Sequence, residues 1–417
     1  MSTENQMSPR AAWMLILAAA AILTLTMGTR VTVGMLISPI NTATGLGIAK
    51  ISLAMAIGQF VWGAVQPLFG MLADKWGSSK VIILGALLLA AGMGMTPFVS
   101  AQWTLILCMG ILAPAGAGAG SFSILIGATA QRLPVERRPF AAGFINAGGS
   151  FGQLLFAPLM RIIMDSAGWI VAMLAMAAST LLTIPLAWPL RRAAGLTTPA
   201  TPAVVKAPEA PGMGIGAQIR LAMRDRSYLC LHAGFFTCGF HIAFLVTHLP
   251  GEVNLCNLPA SVSSTAIALI GGFNILGSLS MGALTSRYRM KSLLALLYAS
   301  RAAIIVLYLL APKTALTFYV FAASLGFTWL ATVPPTAGLV GKLFGVRYLS
   351  TLFGLTLLSH QIGAFFGAWL GGLAFVANGN YNWMWYADIA LALAAALINL
   401  PIREAHVVRA PATMAPV

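Results

Sequence analysis

Acidic residues are nearly missing from this chain. Only nine of its 417 residues are Asp or Glu, and charged residues of either sign make up 8%, against about 25% in soluble domains. With 59% hydrophobic residues, so little charge excludes a water-soluble enzyme or scaffold. Cysteine is scarce too. Cys108, Cys230, Cys238 and Cys256 fall in separate segments without a Cys-x-x-Cys pair, which argues against a disulfide framework. Alternation of apolar and polar residues at period two is absent, which excludes a transmembrane barrel. What the sequence does have is long apolar runs, most reaching the ~20 residues that cross a bilayer as a helix. In lipid a helix satisfies its backbone groups internally. Spans are expected at 11–37, 51–73, 81–100, 103–130, 139–163, 168–190, 228–249, 261–285, 292–311, 316–340, 350–375 and 381–401. The reading is an all-α membrane protein with twelve transmembrane helices.

The formal charge of +15 is a matter of topology, not of nucleic acid. Nineteen of the 24 Lys and Arg fall on the face that also receives both ends of the chain. Lys50, Arg161 and Lys313 fall on the other, and Arg30 and Arg301 lie inside spans. The positive-inside rule then places both termini in the cytoplasm of a cell whose inner (plasma) membrane holds the protein. Arg10 precedes an apolar run too long for a signal peptide, so the first span is expected to stay uncleaved.

Residues 193–227 interrupt the pattern. The stretch AAGLTTPATPAVVKAPEAPGMG is rich in Pro, Ala and Thr and reads as a cytoplasmic linker. It separates a first bundle, 1–192, from a second, 228–417. The halves resemble each other. Thr26, Gly28, Arg30 and Pro39 have counterparts 211 positions later in Thr237, Gly239, His241 and Pro250, and the same offset pairs Gly143 with Gly354 and Gly152 with Gly363. Duplications of this kind are common in transporters, whose substrate sites lie near the midplane between the repeats.

The loop GMLADKWGSSK, residues 70–80, resembles the signature of the major facilitator superfamily between its second and third helices. Gly70, Leu72, Asp74, Lys75, Gly77 and Lys80 fit that pattern; the copy in the second half, GALTSRYRMK, lacks the Asp. The resemblance implies the major facilitator fold, two pseudo-symmetric six-helix bundles that rock about a central cavity. It also implies a cytoplasmic gate built from Gly70, Asp74, Lys75 and Gly77, with Arg137 or Arg138 as the partner of Asp74. The alternative for Asp74 is a helix cap. Within the superfamily, GTRVTVGMLISPI in the first span is similar to the monocarboxylate transporter and oxalate/formate antiporter branch. That branch commonly adds an Arg in helix 8 and a Lys in helix 11, where this chain has Asn274 and His360.

Arg30 is the sharpest functional signal. It lies 20 residues beyond Arg10, about 30 Å along a helix, where a guanidinium costs at least about 2.5–3.5 kcal/mol unless it faces a cavity or a partner. Of the nine acids only Asp388 falls well inside a span. The missing partner is then an anionic substrate, which a guanidinium grips bidentately; the competing reading is snorkelling to the outer interface. Arg301 sits mid-span and either contacts substrate or braces its helix against backbone carbonyls or Asp388. His241, the repeat counterpart of Arg30, either donates to a carboxylate, takes up a proton or simply packs, and His360 has the same alternatives. Gln59, Trp62, Asn146 and Asn274 are expected to complete the cavity. No set of residues calls for a metal or a cofactor.

The function expected is secondary transport of a small organic anion, a monocarboxylate in the leading case, by alternating access with proton symport or anion exchange. The partners are that anion, protons if the transport is symport, and the lipid bilayer; nucleic acid is not among them, and a monomer is expected. Efflux of amphipathic compounds is the alternative transporter reading. A membrane sensor lacks an output domain long enough to signal, and an enzyme lacks a catalytic constellation.

Overall fold

The structure is a computed structural model that describes residues 8–191 and 214–405. Most of the expected linker, 193–213, and the last twelve residues lie outside the described residues. Among the described residues every regular element is helical.

The first helix, α1 (Pro9–Thr32), starts at Ser8, whose side chain accepts a hydrogen bond from the Ala11 N–H, and has proline in its first turn. This is the arrangement that satisfies a free helix start. It runs beyond the expected boundary, through a 3-10 turn at Val33–Leu36 into Ile37–Thr44, and stops at Gly45 in the left-handed conformation. Helices α2 (Ile48–Trp76) and α3 (Ser78–Met95) meet at Gly77. There φ is +99°, a value that favours glycine, so the glycine of the signature loop is there for the turn. Helix α4 (Gln102–Ala130) contains a π-helical stretch at Ile106–Leu112. Residues 138–186 form α5 and α6, which turn into each other at Gly168 with φ +84°. The second half continues with α7 (Arg226–Leu255), capped by Asp225, then α8 (Ala260–Leu284) and α9 (Met290–Leu310). It ends with α10 (Ala315–Phe344), broken at 329–332, α11 (Leu349–Asn378) and α12 (Asn382–Asn399).

Among the described residues ten stretches are long and apolar enough to cross a membrane. One of them, Val135–Leu186, is two spans joined at Gly168. Helix α12, with Asp388 in its first half and Asn at both ends, makes the twelfth. An even number of crossings leaves both described ends on one face, called here the terminal face.

The repeat is visible as packing. Helix α1 lies along α5, and α7 lies along α11. A Cβ on Gly28 would fall 2.9 Å from the Gly152 carbonyl oxygen, and one on Gly152 would fall 2.2 Å from that of Thr24. In the second half, a Cβ on Gly239 would meet the His360 carbonyl at 1.8 Å and one on Gly363 that of Phe236 at 2.0 Å. The glycines matched by the 211-residue offset therefore do the same work: they let two backbones touch, as small residues do between membrane helices.

The halves meet where α2 packs on α11 and α5 on α8. Gly70 approaches Ser350, Gly354 approaches Gln66, and Gly143 approaches Gly282. All these contacts lie between the middle of the helices and the terminal face. One buried apolar cluster accordingly runs through both halves, from Leu89 and Ile124 to Leu352 and Phe353. Toward the opposite face the helices part. Gly271 and Gly272 of α8 have no neighbouring atom within 4 Å of a built Cβ, and Leu53 and Phe60 of α2 and Phe365 and Trp369 of α11 are exposed. The two halves are closed against each other on the terminal face.

Candidate substrate-binding site

Arg30 lies one turn before α1 gives way to the 3-10 turn. It is half-buried. One terminal nitrogen donates to the Gln59 side-chain oxygen, and Cζ sits 4.1 Å above the centroid of the Trp62 ring. A guanidinium over an aromatic face is stabilised by about 0.5–2 kcal/mol, well short of replacing its water. Among the described residues no carboxylate pairs with Arg30. Gln59 and Trp62 are one helical turn apart on α2, which is why they can flank the same charge. One turn nearer the terminal face, Gln66 accepts from Ser121 at 3.0 Å and from Ser123 at 3.3 Å, both on α4. Gln361 of α11 crosses from the other half and lies against Gly63, whose added Cβ would stand 2.5 Å from its Cγ.

Asn146 and Asn274 are fully buried and tied together across the halves. Asn146 Nδ2 donates to Ser278 Oγ at 2.6 Å and to the Leu330 carbonyl at 3.0 Å. Asn274 Nδ2 donates to Ser150 Oγ at 2.5 Å, and its Oδ1 accepts from the Leu330 N–H at 3.0 Å. These amides clasp α5 to α8 and to the break in α10.

Arg301, also expected in the site, is 1% exposed. Its guanidinium donates to the carbonyls of Thr328 and Trp329 and to Cys238 Sγ at 3.4 Å. The break in α10 leaves those carbonyls without helical partners, and Arg301 supplies them. Its position thus has a structural cause, and in this conformer its contacts are with protein. His241 does not face open space either. Its Nδ1 lies 2.5 Å from Asp388 Oδ2, with the two side chains 2% and 0% exposed. Trp329 stands beside the His241 ring, the centroids 6.2 Å apart. His360 is 7% exposed and neighbours Cys238. The sequence linked Asp388, the lone acid inside a span, with Arg301; its hydrogen-bond partner is His241.

At the terminal face Asp74 reaches into the other half. Its Oδ2 accepts from the Thr351 N–H at 2.9 Å and from Thr351 Oγ1 at 2.7 Å, and its Oδ1 accepts from Gln131 Nε2 at 3.3 Å. The expected partners sit differently. Arg138 Nε donates to the Leu133 carbonyl at 2.9 Å, and Arg137 and Lys75 are exposed. The link that sequence reasoning missed is Thr351, 277 residues away.

The family model described as Major Facilitator Superfamily matches residues 16–368. The chain belongs to the major facilitator superfamily. Among curated members, monocarboxylate transporter 13 of Rattus norvegicus is 25% identical over 399 residues, 93% of this chain and 89% of its own. The oxalate:formate antiporter of Oxalobacter formigenes is 27% identical over 159 residues, 37% of each chain. Monocarboxylate transporter 11 of Mus musculus is 32% identical over 134 residues, and the match spans only 29% of that protein. Among solved structures, a proton:xylose symporter of the superfamily bound to 6-bromo-6-deoxy-D-glucose superposes with a TM-score of 0.70, covering 93% of this chain and 95% of that one at 14% identity. That likeness concerns the fold alone.

Proposed function

We propose that this superfamily member is a secondary transporter of small organic anions, monocarboxylates foremost, that works by alternating access. The observation that carries the reading is Arg30: a half-buried guanidinium inside a span, held by the neutral Gln59 and Trp62, without a carboxylate of its own among the described residues. A carboxylate arriving from the opposite face completes it through two parallel charge-assisted bonds. Trp62 and Gln59 set the angle of the fork. Similarity to the monocarboxylate transporter and the oxalate:formate antiporter supports the same substrate class.

The distribution of Lys and Arg supports a cytoplasmic terminal face in the inner (plasma) membrane. On this reading the closed terminal face is the cytoplasmic one, and Asp74 with Thr351 latches it. Substrate release requires that latch to part while the two halves rock about the site. Uptake of radiolabelled carboxylates into proteoliposomes tests this reading. Arg30→Ala is expected to lower uptake by about 10²-fold, the worth of two bonds to a charged group, and Arg30→Lys to retain part of it because the charge survives but not the fork. Unchanged transport by Arg30→Ala overturns the assignment.

A further inference from the structure

We propose that His241 and Asp388 form the proton-binding site of this transporter and couple proton uptake to anion binding. The proposal rests on the anion-transport reading above and adds the site of coupling to it.

Three observations carry it. The first is position: His241 stands 211 residues after Arg30, so the repeat places a titratable cation in one half where the other half has a permanent one. The second is the pair itself. His241 Nδ1 and Asp388 Oδ2 are 2.5 Å apart and sealed from solvent. The third is what the pair leaves over: His241 Nε2 and Asp388 Oδ1 are both buried and without a hydrogen-bond partner. Nε2 is thus the position at which the pair can take up a proton without giving up the bond to Asp388.

The chemistry follows from the geometry. With Asp388 ionised, Nδ1 carries the hydrogen that points at Oδ2, so Nε2 holds a lone pair. The pair is sealed in this conformer, so a proton binds there when the rocking of the two halves opens the pair to the medium, and the bond to Asp388 need not break. The imidazole thereby turns from an acceptor into a cationic N–H donor. Its charged surroundings are few. Arg301 of α9 feels the Asp388 charge, with Tyr298 and Cys238 beside that guanidinium. From α11 comes His360, whose side chain contacts that of Cys238 on α7. Helix α8 carries no titratable side chain, and α10 presents the uncharged Trp329. Whatever charge its neighbours carry, a proton on His241 makes the cluster more positive by one. A carboxylate in the cavity favours the charged form, and the charged form favours the carboxylate. By linkage the two effects are equal.

The test uses full-length protein in proteoliposomes with an internal pH dye and two labelled probes, lactate and oxalate. Wild type is expected to accumulate probe and acidify the lumen together when the outside is made acidic, with uptake rising up to about tenfold per pH unit. His241→Gln and Asp388→Asn are expected to lose the acidification and the pH-driven accumulation by tenfold or more. Both are expected to retain measurable exchange of labelled for unlabelled probe, since exchange needs no net proton movement, but at a raised half-saturation concentration that no longer varies with pH, because the charged imidazole that favours the carboxylate is gone; the retained exchange also shows that the variants are folded. His360→Gln is expected to keep the coupling. The proposal is overturned if His241→Gln keeps the wild-type pH slope, or if it loses exchange and pH-driven uptake in equal measure. It is also overturned, with the anion reading intact, if wild type exchanges a probe but moves no protons. Should wild type transport neither probe in any mode, both readings fall together.

Discussion

Thr351→Val probes the contact that closes the terminal face. Valine keeps the volume of the side chain and removes a single hydrogen bond, from Thr351 Oγ1 to Asp74 Oδ2 at 2.7 Å. The bond from the Thr351 N–H and that from Gln131 remain. The bond lost is worth about 1 kcal/mol if Asp74 is neutral and up to about 3 kcal/mol if it is ionised. It exists only while α2 and α11 are together, so its loss acts on the closed conformer alone and shifts the equilibrium by about 5- to 150-fold toward opening at that face. A suitable assay is the spread of distances between spin labels at Trp76 and Arg347. Both residues are exposed at the terminal ends of their segments, and the four free cysteines are replaced beforehand. The longer-distance population is expected to grow in Thr351→Val and further in Asp74→Asn. If both distributions match that of the parent, Asp74 does not hold the face closed and the latch is wrong.

Gly239→Ala is expected to force α7 from α11, because its Cβ would lie 1.8 Å from the His360 carbonyl oxygen; a loss of at least about 1–3 kcal/mol shows as a lower melting midpoint in detergent. Gly271→Ala, with nothing within 4 Å, is the control and is expected to be neutral or stabilising by up to about 1 kcal/mol. Arg301→Leu strips the Thr328 and Trp329 carbonyls of their donor and leaves Asp388 without its nearby cation, a loss of about 3–5 kcal/mol that thermal unfolding would register. A variant as stable as wild type would instead leave Arg301 free for a substrate role.

Much of the architecture was legible because membrane physics writes itself into composition. Apolar length and the side on which Lys and Arg fall pointed to the twelve helices, although the turn at Val33–Leu36 and the break at 329–332, which Pro334 and Pro335 follow, were read as continuous helix. The offset-related glycines were readable because only glycine allows the approach seen at Gly152 and Gly363. Arg30 was readable as a charge without a partner. The partners themselves were not. His241 meets Asp388 across 147 residues and Asp74 meets Thr351 across 277, and threonine has no charge to advertise an ion-pair-like role. Arg301 misled for a related reason: it is held by backbone carbonyls at a helix break, which a residue pattern does not display.

The central claim is that a small carboxylate is what Arg30 awaits. Its most direct test is the wild-type protein in proteoliposomes preloaded with unlabelled lactate or oxalate and given the same anion, labelled, outside. The account predicts saturable uptake above that of protein-free vesicles, suppressed by formate or acetate and not by the neutral lactamide. No carboxylate uptake at all, together with extrusion of an amphipathic cation by the same vesicles, would contradict it and favour an efflux transporter instead.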